Sequence, residues 1–345
     1  MNDVSILLPL PTSLDAPVLG TLVGAVDRAA FDQMVTVRGD VAPKSGAPLS
    51  FAAFQIVSLR VDLCDRSTLV CPPHGNGRLR LIAQQLELAG GSVSAADIAV
   101  HLFYVIPEAD LPDVIHELRA LARIADSHPD APLAVAAPSA EYLARLHALV
   151  ARYAYADNLV RLTLIGQETQ SAAFAWHFRG FDRGPYEFVQ QPIPTIPASQ
   201  QSTLVAGGDV VYNSDPVADT PLGFATAING ALFDAASAPD QQTALTALVA
   251  VQNPLLHNAT DTQCMACHVA ANLTVKRAGV LGVDPSTVTG AFQSTRPLAT
   301  SSVAARDPRV VRVFGWVGTQ PAIAPAVANA TAELLDEVDA RYPAW

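Results

Sequence analysis

Ala99-Val100-His101-Leu102-Phe103-Tyr104-Val105-Ile106 is an unbroken run of apolar and β-forming residues closed by Pro107, and its flanks decide the fold. Residues 107–126 follow with Leu111, Val114, Ile115, Leu118, Leu121 and Ala122 at helical spacing, an amphipathic helix. Pro132-Leu133-Ala134-Val135-Ala136 reads as a short buried strand. Ser139 then caps a second helix ending near residue 155, with Glu141 at its positive end. Leu159-Val160-Arg161-Leu162-Thr163-Leu164-Ile165 is the next strand. The order β-α-β-α-β predicts an α/β layer with right-handed parallel crossovers.

Working outward, residues 51–63 and 78–86 read as strands joined by the turn-rich segment from Cys64 to Gly77. Residues 174–189 add one or two more, including Trp176-His177-Phe178. Residues 1–50, rich in Pro, Gly and Ser, form an irregular lead-in that contributes at most an edge strand. Residues 191–221 carry Pro192, Pro194, Pro197, Gly207, Gly208 and Pro216 and read as a linker. Beyond them the pattern is helical over 222–236, 239–252, a short piece around 264–268, and 324–341, where Val327, Leu334 and Val338 share a face. A chain of 345 residues exceeds one typical core. The expected class is therefore α+β or α/β: a mixed α/β domain over 51–190, then a mainly helical domain over 222–345.

Charge narrows the function. A net charge of −11 without any cluster of Lys and Arg argues against nucleic acid and anionic membrane surfaces. No stretch reaches the roughly 18 unbroken apolar residues of a membrane span. Four cysteines fall into two close pairs, Cys64/Cys71 and Cys264/Cys267, which points to disulfides or a metal or haem site.

The second pair lies in Cys264-Met265-Ala266-Cys267-His268. Haem attachment needs two thiols to add to two vinyl groups, and an imidazole to reach iron from the same side. Spacings of three and four put Cys264, Cys267 and His268 on one face of a helical turn, and C-x-x-C-H reads as covalent haem attachment. The competing readings are a redox-active CxxC pair followed by a chance histidine, or half of a zinc site.

The pentapeptide resembles the attachment motif of c-type cytochromes. Together with Asn253-Pro254-Leu255-Leu256-His257 and Asp261-Thr262-Gln263 ahead of it, the chain from about residue 51 resembles an uncharacterised group of secreted bacterial proteins, in which an α/β region precedes a C-terminal CxxCH segment. That resemblance implies one covalent haem c, thioether bonds at Cys264 and Cys267, and His268 as proximal iron ligand. It also implies a periplasmic, outer-membrane-anchored or extracellular location. The first residues, Met1-Asn2-Asp3-Val4, lack the basic start of an export signal, so the expectation is a signal encoded outside this sequence. The segment departs from small cytochromes c in having no clear methionine ligand downstream.

Methionine occurs only at positions 1, 34 and 265. Met265 is tethered beside the proximal ligand, and Met34 lies in the lead-in. A sixth protein ligand is thus expected to be histidine, with His257 the nearest in sequence; five-coordinate iron or another ligand is the alternative. His101 and His177 are expected on a strand surface or in the core. Arg296, Arg309 and Arg312 are candidates for the haem carboxylates, and Phe314, Trp316 and Ile323 for walls of the ring. Cys64 and Cys71 are expected to form a disulfide in an oxidising compartment. Three functions follow: an electron carrier or redox sensor served by an unidentified redox partner protein, a peroxidase-like haem enzyme, or a binding module with a structural haem.

Overall fold

The computed structural model describes residues 4–36, 50–63, 76–124, 138–168, 174–206, 211–258, 261–296, 298 and 310–343. In chain order its principal elements are β1 (Ser5–Leu7), α1 (Arg28–Thr36), β2 (Phe54–Asp62), β3 (Gly77–Ala89), β4 (Ser92–Ile106), α2 (Leu111–Ile124), α3 (Ala140–Tyr153), β5 (Leu159–Glu168), β6 (Phe174–Arg183), β7 (Phe188–Gln190), β8 (Gln200–Ala206) and β9 (Val211–Asp215). They continue as α4 (Phe224–Ile228), α5 (Gly230–Ala235), α6 (Ala238–Val251), α7 (Cys264–Leu281), β10 (Phe314–Val317), β11 (Gln320–Ile323) and α8 (Pro325–Arg341).

One nine-stranded sheet in the order β1-β2-β3-β4-β5-β6-β8-β9, with β7 also on β6, organises the chain. Every neighbouring pair is antiparallel. The class is α+β, and the expectation of parallel crossovers is corrected. The reason lies in the β4–β5 connection. A single crossover helix carries the chain back to the starting edge and makes the next strand parallel. Here α2 and α3 form an antiparallel pair, pinned by Arg145 to Glu117 at 2.7 Å and by the Tyr153 hydroxyl to Asp110 at 3.0 Å. Two helices in series return the chain to the end where β4 stopped, and Asn158 fastens that end by donating to the Val105 carbonyl at 2.9 Å. β5 must then run against β4. The strand expected at 132–136 lies outside the described residues.

β3 and β4 form a long hairpin whose turn is Gly90-Gly91, both at positive φ (59° and 84°). Two consecutive left-handed residues suit the twist of a two-residue hairpin, and glycine adopts them without strain. Residues 191–221, expected as a linker, supply β8 and β9 to the sheet. The lead-in supplies the edge strand β1 and helix α1.

Alternation along the strands gives the sheet two buried faces. Val100, Leu102, Tyr104 and Ile106 of β4 face a core completed by α1, α2 and α3. Ala99 belongs to the opposite core, where Val57, Ile82, Ile165, Trp176 and Phe178 meet α4 to α7 and the β10–β11 hairpin. α8 passes from one side to the other: Val327 packs on the second core, and Leu334, Leu335 and Val338 on the first. Among the described residues no helix is long and apolar enough to cross a membrane.

Leu118 tests this layering. It is fully buried on α2 in the first core. Leu118→Ala should cost about 2–5 kcal/mol in urea unfolding, whereas the exposed Leu88→Ala should stay within about 0.5 kcal/mol. Equal effects would contradict the assignment of the sheet's inner face.

Candidate functional site

α7 begins at Cys264, and two buried glutamines hold its first turn against the sheet. Gln201 on β8 accepts from the Met265 backbone N–H at 3.0 Å, and its amide donates to Gln263 Oε1 and to the Pro216 carbonyl, each at 2.8 Å. Gln263 in turn accepts from the Ala218 N–H at 3.3 Å and donates to the Ala218 carbonyl at 2.7 Å. The loop ahead is closed by Asp261, which accepts from the Asn258 N–H at 3.0 Å and from the Thr262 hydroxyl at 2.7 Å. One face of the turn is thereby spent on the core. Met265 and Ala266 are fully buried, and the Met265 sulfur accepts from the Ser214 hydroxyl at 2.8 Å.

The other face lines a partly open cavity of about 400 Å3, within the range of about 300–1,000 Å3 usual for small-molecule and cofactor sites. Cys264, Cys267 and His268 all stand on its wall. His268 Nδ1 lies 2.7 Å from the Val311 carbonyl, which can only accept, so Nδ1 carries the proton and Nε2 the free lone pair. The Phe178 ring, 5.0 Å from the imidazole centroid and tilted by 52°, fixes its rotation. Burial, against the opposing effect of the Val311 bond, pulls its pKa down to about 4, so the ring is neutral. Burial pushes the Cys264 thiol up to about 11 and the Cys267 thiol to about 12.

The floor of the cavity is the sheet. Register places Arg60, Arg80, Phe103 and Arg161 in one row across β2, β3, β4 and β5. The adjacent row reads Ile82, His101, Thr163 and Gly180, and the next Ala99, Ile165, Phe178 and Gln201. Arg78 stands beyond the arginine row. Asp62 bonds Arg60 and accepts from Arg80 at 2.9 Å, and Asp182 accepts from Arg161 at 2.6 Å. Burial opposes ionisation of Asp62, but the Arg60 and Arg80 guanidiniums overcome it and hold its pKa below the ordinary value. Burial, with the Arg161 charge second, lowers Arg78 to about 10. Arg80 also stacks over Phe103 at 4.9 Å.

The remaining expected residues are distributed as follows. His257 lines the same cavity, its Nδ1 3.4 Å from Asp261. His101, expected on a strand surface or in the core, also faces the cavity. Arg312, expected beside a ligand carboxylate, is instead buried and bonded to Asp97 at 3.0 Å, off the cavity wall. Arg296 bonds Asp336 and Asp339 at 2.6 and 2.9 Å. Phe314 is packed in the second core, and Trp316 donates from its indole to the Leu8 carbonyl at 2.9 Å; neither lines the cavity. Met34 is buried in the core on the far side of the sheet. Cys64, Cys71 and Arg309 lie outside the described residues.

Comparison with protein-family models, curated sequences and solved structures returned no match. The geometry must therefore carry the functional reading. A structural zinc needs four side-chain ligands, and the described residues form no group of three or more His, Cys, Asp or Glu placed to hold a metal ion.

Sequence reasoning gave no role to Gln201, Gln263, Val311 or the floor arginines. Gln201→Leu would strand the Met265 N–H in the interior, at a cost of about 1–3 kcal/mol. Urea unfolding should register that loss, together with faster proton exchange at the Met265 amide. An unchanged exchange rate would refute the anchoring role.

Proposed function

We propose that this cavity is the haem site of an exported c-type protein that transfers electrons or senses redox state. The observation that carries the reading is the His268 Nδ1 bond to the Val311 carbonyl. Iron-ligating histidines need one ring nitrogen tied to an acceptor, so that the other is unprotonated and aimed. His268 has this arrangement on the same cavity wall as the two thiols of its own motif.

The donor set fits the group. Cys264 and Cys267 would form the thioether bonds, His268 would ligate iron, and Arg60, Arg78, Arg80 and Arg161 would face its two carboxylates. Guanidinium pairs well with carboxylate, and a cluster of four arginines, Arg60 and Arg78 buried and Arg80 and Arg161 half-buried, beside the carboxylates of Asp62 and Asp182 suits an anionic occupant. The haem supplies one-electron chemistry when bound. The chain's own part is to hold the imidazole neutral and in a fixed rotation, to wall the site with apolar side chains such as Phe103, Ile165 and Phe178, and to keep the pair of thiols on one face. Export belongs to the same proposal, as does a redox partner protein that accepts or delivers the electron.

Protein matured in a host with export and haem-attachment machinery should stay red after extraction with acidified acetone, and Cys264→Ala with Cys267→Ala should lose the colour. Colour that leaves the unmutated protein for the solvent would overturn the reading.

A further inference from the structure

The geometry points to His101, on β4 in the floor of the cavity that His268 also lines, as the second protein ligand of the iron. This inference rests on the haem reading above and adds a residue that lies 163 positions from the CxxCH motif's first cysteine.

Three observations carry it. His101 sits on β4, bordered on both sides by paired strands, and alternation turns its side chain to the α7 face of the sheet. Protein surrounds the imidazole, and the part of it that stays open lies on the cavity wall. Neither ring nitrogen has a hydrogen-bond partner among the described residues. The half-buried imidazole thus has both nitrogens free for a group that fills the cavity it lines.

The second observation is the order of residues along the floor. Phe178 and Gln201 occupy the row that supports His268 and the start of α7. His101 occupies the next row, and Arg60, Arg80 and Arg161 the one after it. Cavity-facing rows are two residues apart, about 7 Å on an antiparallel strand. Haem has the same order across its width: vinyl groups at one edge, iron in the centre, carboxylates at the opposite edge. The row between the helix that carries the thiols and the row of arginines is the one that holds His101.

The third is the layer each histidine comes from. His257 belongs to the loop between α6 and α7, where its N–H bonds the Asn253 carbonyl at 3.0 Å and its ring faces Asp261. It therefore shares a layer with His268, whereas a second ligand must approach the opposite side of the ring. Methionine offers no substitute, since Met34 is beyond the sheet and the Met265 sulfur is committed to Ser214.

The test is the spin state of the matured ferric protein, read by electron paramagnetic resonance and optical absorption. The unmutated protein should be low-spin. His101→Ala should keep its covalent haem and become high-spin, and added imidazole should restore the low-spin spectrum by filling the vacated position. His257→Ala should leave the spectrum unchanged. If His101→Ala fails to mature, the unmutated spectrum and His257→Ala can still overturn the assignment. High-spin iron in the unmutated protein, a low-spin spectrum in His101→Ala, or a switch to high-spin in His257→Ala would overturn the assignment while leaving the haem reading intact. Absence of covalent haem from the unmutated protein would overturn both.

Discussion

The first turn of α7 is fixed by a carboxamide of the sheet. Gln201 spends its oxygen on the Met265 N–H, which has no partner within its own helix at that position, and spends its nitrogen on Gln263 and Pro216. That choice sets which side of the turn enters the core. Once Met265 and Ala266 are buried, the i, i+3, i+4 geometry of the helix leaves Cys264, Cys267 and His268 on the cavity side. The Val311 carbonyl and the Phe178 ring then settle the proton and the rotation of one imidazole. The helix has little latitude elsewhere, because Val269, Ala270 and Leu273 are fully buried against the same sheet.

The cavity itself follows from a change of side-chain type along single strands. On β3, Leu79 and Leu81 face the first core, while Arg78 and Arg80 face the other way, with Ile82 next on the same side. A face that is apolar at one end and cationic at the other cannot close tightly under a helical layer. It leaves a chamber with an aromatic and aliphatic end near α7 and a charged end near β2 and β3. The charged end is held in shape by Asp62, shared between Arg60 and Arg80, and by the Arg161–Asp182 pair. Removing Asp62 would strand the Arg60 charge beside it, whereas an anionic ligand adds a partner.

Much of this was legible in the sequence, and the failures have identifiable causes. The helical stripe of Leu111, Val114, Ile115, Leu118 and Leu121 is buried as its spacing predicts, and Ser139 caps α3 by accepting from the Tyr142 N–H at 3.1 Å. Strand direction was misread because two helices in series look, in pattern alone, like two separate crossovers. β8 and β9 were missed because Gln200, Gln201, Ser202 and Thr203 are polar, although Gln201 and Thr203 are buried; hydrogen bonding rather than hydrophobicity pays for their interior place. At the site, CxxCH carries its own spacing and needs no fold to be read. His101 and the arginines acquire meaning only through cross-strand register, which no local pattern encodes. The alternation of Arg78 and Arg80 with Leu79 and Leu81 was the one local sign that a buried strand face was polar.

The central proposal is that a sheet built from the first two-thirds of the chain and a helix from its last third together hold one covalently bound haem. The most direct measurement is mass spectrometry of the proteolytic peptide spanning residues 264–268, prepared from the exported, matured protein. The account predicts one haem joined to that peptide through both Cys264 and Cys267, with neither thiol open to alkylation. A peptide with two alkylatable thiols, or with Cys264 and Cys267 joined in a disulfide, would contradict it.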